Sequence, residues 1–188
     1  MKPAIVVVDM LKDSIKAKDY SSEEYLGIVP KINNLLGRAR KMNIPVIFAC
    51  DSFLKDDFIF KGSSRQWNLR GTKGAEVMDE LDLQEGDHIL PKRRFSSFFK
   101  TDLDQTLRLL GVDTVVVTGI NTHVCVYATA MDSVCSDFHT IVLEDCSAAY
   151  KKEVHQGGIE LLRRSRLNPL LRVMSSEEFL EEAAGSDI

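Results

Sequence analysis

The residues able to do covalent chemistry concentrate in Gly119-Ile120-Asn121-Thr122-His123-Val124-Cys125-Val126, directly behind the apolar run Thr114-Val115-Val116-Val117-Thr118. A buried strand passing through a glycine turn into a helix places Cys125 at the helix start. Unpaired backbone N–H groups and the positive helix end favour a thiolate there. A cysteine alone in such a setting is more often a small buried hydrophobe, so partner groups decide the matter. His123 offers an imidazole two residues earlier, but adjacent-turn geometry argues against contact. Asp9, Asp51 and Lys92 are better placed, because each follows a short apolar run: Ala4–Val8, Pro45–Cys50 and His88–Leu90. Singly, Asp9 and Asp51 read equally well as turn or cap residues and Lys92 as a solvated lysine. Their shared position at strand ends is what raises them.

Those runs lack polar alternation, the pattern of strands covered on both faces. Thr114–Thr118, Thr140–Leu143 and Leu170–Met174 add three more. Between them, helical spacing recurs at Ile28, Ile32, Leu35, Leu36 and Ala39, at Leu103, Leu107 and Leu110, and over Lys152–Arg164, with a short helix expected around Glu76–Leu81. Ser21 with Glu24 and Ser175 with Glu178 have capping-box spacing, and Gly185–Ile188 reads as a frayed tail. Strands alternating with helices predict an α/β fold, a Rossmann-like six-stranded parallel sheet with helices on both faces, forming a single domain over residues 1–188. Ligands of such sheets bind beyond the carboxyl ends of the strands, where strand order reverses. In the order 3-2-1-4-5-6, Asp9 lies beside Cys125 and Lys92 approaches from the side.

Asp9 closing strand one, Lys92 after strand three with Phe95 and Phe98 behind it, and Gly-Ile-Asn-Thr-His-Val-Cys-Val after strand four together resemble the isochorismatase-like cysteine hydrolases, which include nicotinamidases and N-carbamoylsarcosine amidase. The resemblance covers nearly the whole chain. It implies an Asp-Lys-Cys triad carried by Asp9, Lys92 and Cys125, a cis peptide at Ile120-Asn121, and a homo-oligomer, either dimer or tetramer. In chemical terms, Cys125 attacks an amide carbonyl and forms a thioester that water resolves. Amides near Val124 and Cys125 form the oxyanion hole, Asp9 shuttles the proton, and Lys92 is a fixed cation that holds Asp9 ionised and favours the thiolate.

Departures from the family pattern bear on substrate. Nicotinamidases carry a metal site on Asp-x-His after strand two, but here that segment reads Asp51-Ser52-Phe53, and no histidine precedes His88. No metal and no cofactor are therefore expected. The resemblance then favours a small carbamoyl or amide substrate, cleaved at a C–N bond as by N-carbamoylsarcosine amidase. The long stretch Ser52–Lys73 is the expected substrate loop, with Trp67 and Phe53 as walls and Arg70 or Arg93 to hold a carboxylate. Arg65, Arg94, Phe58, Phe60 and Phe95 are further candidates. The alternatives are a nicotinamidase-like amidase, a non-catalytic binding relative of the fold, and a thiol redox protein. The last lacks a resolving Cys-x-x-Cys pair.

Composition excludes other classes. With 24 basic and 28 acidic residues well mixed, net −4, no broad basic surface exists to neutralise nucleic-acid phosphates. Apolar runs are strand-sized, against roughly 20 residues for a membrane span. Cys50, Cys125, Cys135 and Cys146 show no staple or metal spacing, so reduced thiols and a cytoplasmic protein are expected.

Overall fold

The computed structural model describes residues 1–15 and 22–185. Its strands are β1 (Pro3–Val8), β2 (Val46–Asp51), β3 (His88–Lys92), β4 (Thr114–Ile120), β5 (His139–Ala148) and β6 (Leu171–Met174). They pair in parallel as one six-stranded sheet in the order β3-β2-β1-β4-β5-β6. The reversal falls between β1 and β4, as the sequence implies. The helices are α1 (Lys12–Ile15), α2 (Ser22–Lys41), α3 (Leu103–Leu109), α4 (Tyr127–Cys135), α5 (Lys152–Arg163) and α6 (Ser176–Gly185).

Alternation along β1 divides the core. Ile5 and Val7 pack with Ile32, Leu35 and Leu36 of α2 and Phe179 and Leu180 of α6. Ala4, Val6 and Val8 pack on the opposite face with Leu103 and Leu107 of α3, Ala130 of α4, and Ile159 and Leu162 of α5. Each fully buried leucine or isoleucine contributes about 1.5–3 kcal/mol. That packing outweighs local propensity in α2, which runs unbroken through Pro30. The α6 capping box closes as its spacing predicts: the Ser175 N–H donates to Glu178 Oε2 at 2.7 Å, and the Glu178 N–H donates to Ser175 Oγ at 3.3 Å. Ser21 of the other expected box and residues 186–188 of the tail lie outside the described residues.

The helix expected around Glu76–Leu81 is replaced by a 3₁₀ turn at Lys73–Ala75 followed by extended chain. Leu11 bridges Val77 in antiparallel fashion, the Lys12 N–H donates to Glu76 O at 3.0 Å, and the Met78 N–H donates to Met10 O at 3.1 Å. Pairing with the chain beyond β1 thus satisfies backbone groups that a helix would have satisfied internally, while Val77, Met78 and Leu81 are buried all the same.

Gly119 brings β4 against β1 just before the nucleophile stretch. It has φ +104° and pairs with Val8, and an added Cβ would lie 2.2 Å from Val8 O. Since that obstacle is backbone, Gly119→Ala is expected to destabilise the fold by about 3 kcal/mol or more, read as a lowered urea midpoint. A wild-type midpoint in the variant contradicts this close approach.

Candidate active site

The strand ends converge as the topology requires. In-register pairing sets Asp51 opposite Lys92 across β2 and β3, and Asp9 follows β1 next to both. The Lys92 ammonium is 1% exposed and spends its three donors on Asp9 Oδ2 at 2.8 Å, Asp51 Oδ1 at 2.5 Å and the Arg94 carbonyl at 3.2 Å. Asp9 Oδ1 accepts the Asp51 backbone N–H at 2.9 Å, so both Asp9 oxygens are held. Asp9 itself has φ +54°, a left-handed conformation that aspartate tolerates better than most residues. Burial alone lowers the pKa of Lys92, but the charges of Asp9, Cys125 and Asp51 more than reverse this, and the lysine stays a cation. Burial raises the Asp51 carboxyl pKa, with the Asp9 charge adding to the effect.

Cys125 sits on a π-helical turn, Thr122–Val126, that runs into α4. The Ile120-Asn121 peptide is cis. Two helices clamp this turn. From α2, the Tyr25 hydroxyl donates to Asn121 Oδ1 at 2.7 Å. On the α5 side, His155 Nδ1 lies 2.8 Å from Thr122 Oγ1, and Gly158 allows close approach, because a Cβ there would meet Thr122 Cγ2 at 3.2 Å. The Ser97 N–H donates to Thr129 Oγ1 at 3.0 Å, tying the segment after Lys92 to α4.

The Cys125 thiol lies within 4.8 Å of a carboxylate oxygen of Asp9 and of one of Asp51. Its pKa corrects the expectation of a favoured thiolate. Burial, followed by the Asp9 charge, pushes the Cys125 thiol well up, and Lys92 only partly offsets this. The protonated thiol is the form favoured beside these carboxylates. Val124 is also less available than expected, since its N–H donates to Asn121 O at 2.9 Å. His123 stacks edge-on against Tyr150, with ring centres 5.8 Å apart, and is not part of the cluster. Cys50 and Cys146 are buried, which pushes each thiol up to about 12.

A cleft of about 430 Å³ opens above the cluster, lined by Asp9, Asp51, Cys125, Asn121 and Val124 and also by Asp13, Tyr25, Arg65, Trp67, Asn68 and Phe95. Trp67 is therefore where the sequence put it, whereas Phe53, Arg70 and Arg93 are not on the lining. Phe53 is fully buried, supporting Trp67 from behind through edge-on contacts with Phe60 and Trp67 at 5.5 and 6.3 Å between ring centres. Arg70 Nε donates to Ser52 Oγ at 3.0 Å. Arg93 is engaged by Asp57, with Nε–Oδ2 at 3.1 Å. Of the arginines, only Arg65 faces the cleft among the described residues. Sequence reasoning missed Asp13, Tyr25 and Asn68. The Asn68 N–H donates to Asp13 Oδ2 at 3.1 Å, and its φ is +48°.

Residues 3–178 match the isochorismatase domain. The chain belongs to the isochorismatase family. An Arabidopsis thaliana relative named as a probable inactive nicotinamidase is 32% identical over 167 residues, covering 83% of this chain and 85% of its own. The N-carbamoylsarcosine amidase of Thermoplasma acidophilum is 32% identical with TM-score 0.82, covering 94% of this chain and 98% of its own. A pyrazinamidase of Pyrococcus horikoshii solved in complex with zinc is 26% identical with TM-score 0.80, covering 93% and 99%.

The zinc of that structure prompts a test of fit, and the described residues after β2 do not fit a metal. Asp51 is committed to Lys92, and Phe53, two residues on, is buried in the core. Asp9, Asp51 and Cys125 do converge, but the Lys92 ammonium already bonds both carboxylates, so a divalent cation there would face a buried positive charge.

Proposed function

We propose that this isochorismatase-family protein is a metal-independent cysteine amidohydrolase that cleaves a C–N bond in a small carbamoyl or amide compound, in the manner of N-carbamoylsarcosine amidase. The observation that carries the reading is the buried Asp9–Lys92 pair, 2.8 Å apart, with the Cys125 thiol within 4.8 Å of the same Asp9 on the lining of a cleft.

In this scheme Asp9 takes the thiol proton as Cys125 Sγ attacks the carbonyl carbon. The developing oxyanion is placed on the Cys125 backbone N–H within the helical turn. Asp9 returns the proton to the departing nitrogen, leaving a thioester and a free amine or ammonia. Water then adds to the thioester carbonyl, its proton passes to Asp9 and on to the leaving sulfur, and the acid is released. Throughout, Lys92 balances charge that would otherwise be costly to bury. A raised thiol pKa is compatible with reactivity, because the proton has only to cross to the neighbouring Asp9 carboxylate, which Lys92 and the Asp51 N–H already hold in place.

A dimer or tetramer and a cytoplasmic location remain part of this proposal. All four cysteines are free, which supports a reducing compartment. No helix among the described residues is long and apolar enough to cross a membrane.

The test is ammonia release over a panel of N-carbamoyl amino acids, nicotinamide and maleamate, with and without chelator. Turnover of a carbamoyl or linear amide compound, unchanged by chelator, is expected. Chelator-sensitive turnover of nicotinamide alone favours the nicotinamidase alternative, and no release from any member favours a binding relative.

A further inference from the structure

We propose that Tyr25 is a positioning residue for the nucleophile, acting through Asn121; this rests on Cys125 being the reactive group. The Tyr25 hydroxyl, on a side chain 2% exposed, donates to Asn121 Oδ1 at 2.7 Å. The Asn121 carbonyl in turn accepts the Val124 N–H at 2.9 Å and the Val126 N–H at 3.2 Å, the residues on either side of Cys125. Asn121 is thus the hub of the turn, and Tyr25 is the group that reaches its side chain from another element. The two partners are 96 positions apart in the chain, with Tyr25 on the first turns of α2 and Asn121 at the end of β4.

The need for such a tether follows from the turn itself. A single π-helical turn is rare and frequent at functional sites, and here it carries Cys125 beside Asp9 on the lining of the cleft. Thr122, bonded by His155, secures the turn from α5, but no residue on that side touches Asn121's side chain among the described bonds. Both Tyr25 and Asn121 line the cleft, so a substrate seated there presses on the tether as well as on the thiol. Displacing a nucleophile by about 1 Å can cost on the order of 100-fold in rate, whereas loss of one hydrogen bond on its own has a modest effect on stability.

The experiment is a double-mutant cycle of Tyr25→Phe and Asn121→Ala, read by kcat and KM and by the rate at which iodoacetamide alkylates Cys125. Tyr25→Phe is expected to lower kcat about 10-fold or more with KM within about threefold, and to slow or redistribute alkylation by a similar factor. Adding Tyr25→Phe to Asn121→Ala is expected to cost less than about twofold more, because the tether is already lost. If Asn121→Ala does not fold, Asn121→Ser takes its place in the cycle. Losses that multiply, or a Tyr25→Phe enzyme within twofold of wild type by both readouts, overturn the proposal. The alkylation arm needs no substrate. If wild type hydrolyses nothing in the panel while Tyr25→Phe still changes alkylation, the amidase reading fails and the positioning role stands.

Discussion

Lys92→Met is expected to destabilise the protein by about 3–5 kcal/mol at pH 8 and to abolish turnover. Methionine keeps the apolar stem but removes the ammonium that Asp9 and Asp51 share at 2.8 and 2.5 Å, leaving two buried carboxylates facing each other. Burial already raises the Asp51 carboxyl, and loss of the opposing Lys92 charge moves it further above the unfolded value of about 3.9. Stability from such a pair is fully present below the unfolded value and is lost as pH rises through the folded one. The gap between wild type and variant in urea unfolding should therefore be large at pH 8 and clearly smaller at pH 5. A gap below about 1 kcal/mol at pH 8, or one that does not change with pH, contradicts the view that Lys92 is the internal counter-ion of this site.

Asp9, Lys92 and Cys125 are legible in the sequence because β-branched runs announce buried strands, and a parallel sheet brings the ends of such strands together. Asp51 carries the same signal, closing β2 directly opposite Lys92, yet its role stays open in the sequence because nothing local says that one lysine serves two carboxylates. Arg70 and Arg93 show the converse. An arginine in a loop reads as an anion holder until its partner is known, and Ser52 and Asp57 occupy these two. Tyr25 and Asn68 reach the cleft from a helix and an irregular loop, where no periodicity records direction. The expected helix at Glu76–Leu81 gives way to pairing with Leu11, a long-range backbone partner that propensity does not see. The state of the thiol was equally hidden: a helix start favours thiolate, but burial and Asp9 outweigh it, and burial is a property of the assembled fold.

Cys125 carries the central claim. Cys125→Ala is expected to keep the fold, since it deletes one sulfur from a well-packed turn, and to lose about 10⁴-fold or more in kcat, as removal of a covalent nucleophile does. The most direct measurement is intact-protein and peptide mass spectrometry of wild-type enzyme acid-quenched during turnover of whichever panel compound it hydrolyses. The account predicts a mass increment equal to the acyl fragment, on the peptide that contains Cys125, and its absence in Cys125→Ala. Full activity in Cys125→Ala, or an acyl group found on any other residue, contradicts it.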